Sequence, residues 1–192
     1  MLKRHVLSVG VCWVALFVAL FWGVTAGLAA DPDGQAGTAH GQGPHAALKS
    51  LDEIGRMQIS AQDRCPLCGM FPAKRPKSAA AMVLKDGRTF YFCANGCLLR
   101  AWRQSERRLK VPVQGILRMV VQDYFNGAPL DAHEAWWVAG SDVVGPMGPA
   151  LVTLGSEQAA AAFKKRHGGR RVFRLRDVDD ELWGALFPSK QN

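Results

Sequence analysis

AAMVLKDGRTFYFCANGCLLRAWRQSERR, residues 80–108, decides how the rest of the chain is read. Two short apolar runs, Ala80 to Lys85 and Arg88 to Phe92, flank Asp86-Gly87, a dipeptide that favours the positive φ angles of a tight hairpin turn. From Asn95 to about Arg108 the period changes to that of a helix, with Leu98, Ala101 and Trp102 on one face. Moving outward, Val113 to Tyr124 reads as a strand closed by the turn signal Asn126-Gly127. The pattern then returns. Ala135 to Ala139 and Leu151 to Leu154 read as strands, with the Gly145-Pro146-Met147-Gly148 loop between them. Ser156 can cap a helix whose first turn carries Glu157 and which stops at Gly168-Gly169. Arg171 to Arg176 alternates apolar and basic residues and closes the set as a strand. Strand–strand–helix–strand thus occurs twice, which predicts an α+β fold of two small related halves sharing one ligand region.

The chain has 192 residues, a formal charge of +8 and an apolar fraction of 48%. That is enough apolar material for a real core, so wholesale disorder is excluded. Lys3 and Arg4 precede an uncharged run from Val6 to Ala30, long enough to cross a bilayer as a helix. The basic flank on its N-terminal side places everything after it outside the cytoplasm. Residues 1–30 are therefore a transmembrane anchor or a signal segment. The length of the run favours the anchor; Gly27-Leu28-Ala29-Ala30 offers a cleavage site, and cleavage would leave an exported soluble protein. Cys12, inside the run, reads as a buried apolar thiol. Residues 31–62 read as a flexible linker containing Gly, Pro and His, in which His40 and His45 are ordinary polar residues rather than ligands. The metal-binding domain is expected over 63–187.

Export also changes what the basic charge means. Nucleic acid is absent outside the cytoplasm, so no nucleic-acid partner is expected. Arg100, Arg103, Arg107 and Arg108 fall at helical spacing, as on a solvated face; a docking face for an acidic partner or anionic lipid is the sharper alternative.

Four of the five cysteines form two close pairs, Cys65-x2-Cys68 and Cys93-x3-Cys97. Such pairs place two donors on a turn and two where a strand enters a helix, as a tetrahedral metal site requires. Three readings compete: a structural Zn(II) site, disulfides in an oxidising compartment, and Cu(I), which prefers thiolate and thioether donors. Met70 follows Cys68-Gly69 directly. Met147 sits in a Gly-Pro turn that no periodic apolar face claims, so its thioether is expected to be presented. These two sulfurs tilt the choice toward Cu(I). A thioredoxin-like role for Cys65-Pro66-Leu67-Cys68 needs a helix at that point, and Gly69, Pro72 and Pro76 argue against one.

The segment from Asp63 to Lys74, with Cys65-Pro66-Leu67-Cys68-Gly69-Met70, resembles the opening of the NosL family, accessory copper proteins of nitrous oxide reductase. The resemblance continues through Asp123-Tyr124-Phe125-Asn126-Gly127, Asp131-Ala132-His133-Glu134-Ala135 and the stretch from Val138 to Met147-Gly148. It ends at Phe163 and His167-Gly168-Gly169. It implies two related α+β halves like those of organomercury lyase, a periplasmic location usually with a lipid anchor, and carriage of Cu(I) to the reductase or its assembly complex. It also implies a ligand set of one cysteine of the first pair, Met70 and Met147. The chain departs from the family at Cys93-Ala94-Asn95-Gly96-Cys97, which is similar instead to the TRASH and YHS metal-binding domains, and in lacking a convincing lipobox. The expectation is a non-enzymatic Cu(I) metallochaperone on the periplasmic side of the inner membrane, with Cys65, Cys68, Met70, Cys93, Cys97 and Met147 as candidate ligands. The alternatives are a zinc-stabilised or heavy-metal-binding interaction module and a thiol enzyme related to organomercury lyase, for which Asp142 is the one nameable carboxylate.

Overall fold

A computed structural model of the chain describes residues 44–188. The apolar run at 6–30 and most of the linker, His40 included, lie outside the described residues. Strands β1 (Ala80–Leu84) and β2 (Thr89–Phe92) form the expected hairpin, with Ala81 opposite Tyr91 and Met82 opposite Phe90. Helix α1 (Asn95–Arg103) follows and breaks at Gln104 before a short α2 (Ser105–Leu109), so the single helix expected here is two. A left-handed Lys110 ends α2. After one 3-10 turn, β3 (Ile116–Gln122) returns antiparallel to β1, and β4 (Pro129–Asp131) adds an edge.

The second half repeats this path. It comprises β5 (Trp136–Ser141), a two-stranded ribbon of β6 (Val144–Gly145) and β7 (Gly148–Pro149), β8 (Val152–Leu154), α3 (Glu157–His167) and β9 (Gly168–Phe173). Ser156 caps α3, its Oγ accepting from Ala159 N–H at 3.1 Å. The sheet orders are β2-β1-β3-β4 and β8-β5-β9. In both, the first strand of the half is central and antiparallel to its neighbours on either side. The predicted repeat is thus also a repeat of topology. A final helix, α4 (Asp180–Leu186), was not signalled by the sequence.

One apolar cluster joins the halves: Met82, Phe90, Phe92, Leu98 and Met119 pack with Trp137 and Phe173. Each fully buried large side chain contributes about 1.5–3 kcal/mol. Trp137 Nε1 also donates to Ala132 O at 2.9 Å, satisfying the one polar atom of that ring. A smaller cluster of Val138, Leu154, Ala160 and Phe163 seats α3 on the second sheet.

The opposite face of the first sheet is covered too. Ala81, Tyr91 and Val120 pack beneath Ala47, Leu51, Met57 and Ile59. Residues 44–62, expected as the end of a linker, instead lie along β2: Ala47 N–H donates to Thr89 O at 2.7 Å, and Gln58 N–H to the Tyr91 hydroxyl at 3.0 Å. Coverage on both faces explains why every residue of β2 is buried, where a half-exposed strand would alternate.

The arginine face of α1 is likewise occupied. Arg103 pairs with Asp180 and lies over Trp183, and Arg100 lies 4.4 Å from the Phe187 ring centre. Arg107 donates to Gln104 Oε1 on its own segment. Much of the proposed docking face therefore holds the C-terminal helix of the same chain.

Candidate metal centre

Cys65 and Cys68 sit on a tight turn rather than at a helix start. Gly69 N–H donates to Cys65 O and Cys65 N–H to Met70 O, both at 2.8 Å. Gly69 closes that turn with φ +76°, a left-handed conformation that a side chain would strain. Cys93 lies at the end of β2 and Cys97 in the first turn of α1. Ser78 Oγ donates to Cys93 O at 2.8 Å and fixes the backbone at that junction.

The four Sγ atoms converge, all lying within 4.8 Å of one another. Cys68–Cys93 is 3.4 Å, Cys93–Cys97 3.7 Å and Cys97–Cys68 4.0 Å. A tetrahedral site with metal–sulfur bonds of about 2.3 Å has sulfur–sulfur edges of about 3.8 Å, so these separations bracket the required value. All four are free thiols, and the shortest separation is far above the roughly 2.0 Å of a disulfide. Cys65, Cys93 and Cys97 are buried; Cys68 alone reaches solvent.

Packing four thiols together splits their acidities. Hydrogen bonds from Cys93 and Cys97 hold the Cys65 thiol well below the ordinary range, although burial opposes this. Donating to Cys65, together with burial and the Cys65 charge, pushes Cys93 and Cys97 up. The metal-free cluster therefore holds the Cys65 thiolate among buried neutral thiols, and a cation is its natural counter-charge.

The two candidate methionines are placed differently from each other. Met70 is partly buried and packs against the main core, with its carbonyl tying the first turn together. Met147 is 47% exposed at the tip of the β6–β7 ribbon. The Gly-Pro-Met-Gly segment, expected as an irregular loop, is thus the turn of a two-residue hairpin. Asp142 pairs with His167 Nδ1 at 3.0 Å, and no carboxylate joins the sulfur cluster among the described residues. The mercury-lyase reading loses the protonating group it named.

Beside the thiols runs a groove of about 480 Å³ between the halves. Its floor is pinned by residues that sequence reasoning missed. Asn95 Nδ2 donates to Leu151 O at 2.9 Å and to Thr153 Oγ1 at 3.2 Å, and Thr153 Oγ1 donates to Gln122 O at 2.6 Å. Gln122 Nε2 in turn donates to Pro76 O and Ala79 O. These contacts join positions far apart in the chain, so neither residue type nor spacing signals them.

The NosL family model matches residues 56–183. The copper-binding lipoprotein NosL of Stutzerimonas stutzeri is 35% identical over 123 residues, covering 62% of this chain and 64% of that relative. The chain therefore spans just under two thirds of that relative's length. The crystal structure of the copper chaperone NosL from Shewanella denitrificans superposes with a TM-score of 0.54 at 22% identity, over 65% of this chain and 96% of that one, which establishes a shared fold. The solution structure of apo-NosL from Achromobacter cycloclastes gives a TM-score of 0.42 at 26% identity, over 59% and 93%.

Proposed function

The chain belongs to the NosL family, and within it we propose an extracytoplasmic, membrane-attached carrier that binds Cu(I) at its four-thiol cluster. The carrier releases the metal to a copper enzyme or to that enzyme's assembly complex. The nitrous oxide reductase system is the recipient implied by the family resemblance. One observation carries the reading: four sulfurs from two distant segments meet within 4.8 Å, with no oxygen or nitrogen ligand among them in the described residues. Such a set selects a soft thiophilic ion.

Delivery requires a ligand that can let go. Three thiols are buried and suit holding, whereas Cys68 is accessible and suits exchange with an incoming sulfur of the recipient. The neutral, half-exposed thioether of Met147, on the separate groove wall, is a second, weaker donor for the hand-over, and Met70 lies beside the first turn. The apolar run at 6–30 supplies the attachment and keeps the domain on the periplasmic side.

A second reading has its own support. A closed tetrathiolate with three buried sulfurs suits structural Zn(II). Anaerobic titration against a Cu(I) chelator, starting from the zinc-loaded protein, separates the two. Displacement of zinc by one tightly held copper per chain supports carriage. Zinc that stays bound under excess Cu(I) makes the cluster a structural pin.

A further inference from the structure

The groove between the halves has one charge sign. Lys74, Arg75 and Lys77 stand exposed on its rim, and no Asp or Glu lines it. None of the three pairs with a carboxylate among the described residues. They sit on 3-10 turns that Gln122 Nε2 holds in place through Pro76 O and Ala79 O, so the charges are presented by a fixed scaffold. The start of α1 also opens on the groove through Asn95 and Gly96, without a side-chain cap. Its dipole adds to the positive field there.

The same groove is also lined by exposed apolar and aromatic side chains. Val144 is 77% exposed, Met147 47% and Tyr124 41%. Val144 and Met147 belong to a ribbon of only two strands, which forms a sheet of its own. Its outer edges are not paired into either main sheet, and an extended segment can add to such an edge.

We propose that this groove is the docking site for an extended, acidic segment with interspersed apolar side chains, belonging to the protein that receives the metal. Carboxylates of that segment lie against Lys74, Arg75 and Lys77, and its apolar side chains against Val144, Met147 and Tyr124. The position has a functional consequence that rests on the carrier reading above. Ala94 and Gly96 line the groove, and both belong to the turn that carries Cys93 and Cys97. Ser78 also lines it and holds Cys93 O. A recipient docked here lies against the backbone that positions two of the four thiols.

The test uses the full chain in neutral detergent micelles and a fluorescent heptapeptide alternating aspartate with leucine and phenylalanine. A counterpart with lysine in place of aspartate serves as control. The acidic peptide should bind at least tenfold more tightly than the lysine one, and more weakly as salt rises, because exposed charges carry the selectivity. The triple variant Lys74→Glu, Arg75→Glu, Lys77→Glu should lose tenfold or more. Val144→Ser should lose severalfold, and Arg170→Glu with Arg171→Glu should change nothing. Equal binding of both peptides, or indifference to the triple reversal, overturns the proposal. So does a phosphatidylglycerol dependence without peptide binding, which would assign the groove to lipid, or a dimer dissolved by the reversal, which would assign it to a second copy. Cu(I) affinity is measured on the same samples. Copper binding without peptide binding removes the docking site alone, and peptide binding without copper removes the carrier reading.

Discussion

Replacing Asp123 by Ala should weaken the joint between the two halves more than its place just past the end of β3 suggests. Asp123 is only 7% exposed. Its Oδ1 accepts from Phe125 N–H at 2.9 Å and Asn126 N–H at 3.2 Å, while Oδ2 accepts from Gly155 N–H at 2.7 Å, just before α3. Hydrogen bonds to a charged acceptor contribute about 1.5–3 kcal/mol each, and removing the acceptor leaves the donors unpaired. The three share one carboxylate and the site is partly open to water, so they do not add; a loss of about 3 kcal/mol is expected. For a domain of this size that corresponds to a fall in Tm of about 6–12 °C. Asp123→Asn keeps one oxygen for the Phe125 and Asn126 amides but turns an amide donor toward Gly155 N–H, and should lose about half as much. Urea unfolding of the parent and both variants reads the difference, with an unchanged slope as the check on two-state behaviour. If Asp123→Ala stays within about 1 kcal/mol of the parent, the carboxylate is not the joint described above.

Three further outcomes are expected. Met147→Leu keeps the volume of a half-exposed side chain and should shift stability by less than about 0.5 kcal/mol, yet slow copper hand-over in a stopped-flow transfer assay; normal transfer would remove Met147 from the route. Brief treatment of the metal-free protein with iodoacetamide should label Cys68 before the other thiols, and bound metal should block it; peptide mapping showing Cys93 or Cys97 labelled first would contradict the burial pattern. Cys93 and Cys97 are pushed up and stay protonated at neutral pH, while Cys65 is held low, so metal binding should release protons, those of Cys93 and Cys97 among them. Affinity should accordingly fall as the pH is lowered; a pH-stat titration with no proton release would refute this.

Much of the architecture was legible because local signals agreed with the final packing. Asp86-Gly87 turned where a hairpin was needed, Ser156 capped its helix, and the doubled strand–strand–helix–strand order became a doubled sheet order. What was not legible depends on distant partners. α4 buries none of its residues fully and rests on Asp180 against Arg103 and on Trp183 and Phe187 against the arginines of α1. β6 and β7 have two residues each, too short for any period to show. β4 begins with Pro129, which argues against a strand except at an edge, and an edge is where it lies. Residues 44–62 read as linker because Leu51, Met57 and Ile59 follow no regular period; they pack only because Tyr91 and Val120 offer an apolar face. At the site, the two cysteine pairs announced a four-thiol centre. The placement of Met147 on a separate groove wall, where no cysteine opens, depends on the pairing of β6 with β7, which no local signal carries.

Sulfur coordination of bound copper tests the central claim most directly. X-ray absorption at the copper edge on the anaerobically loaded protein should show one Cu(I) surrounded by sulfur alone, with all four clustered thiols protected from alkylation in the same sample. Copper bound through nitrogen or oxygen, with Cys65, Cys68, Cys93 and Cys97 still open to alkylation, would contradict it.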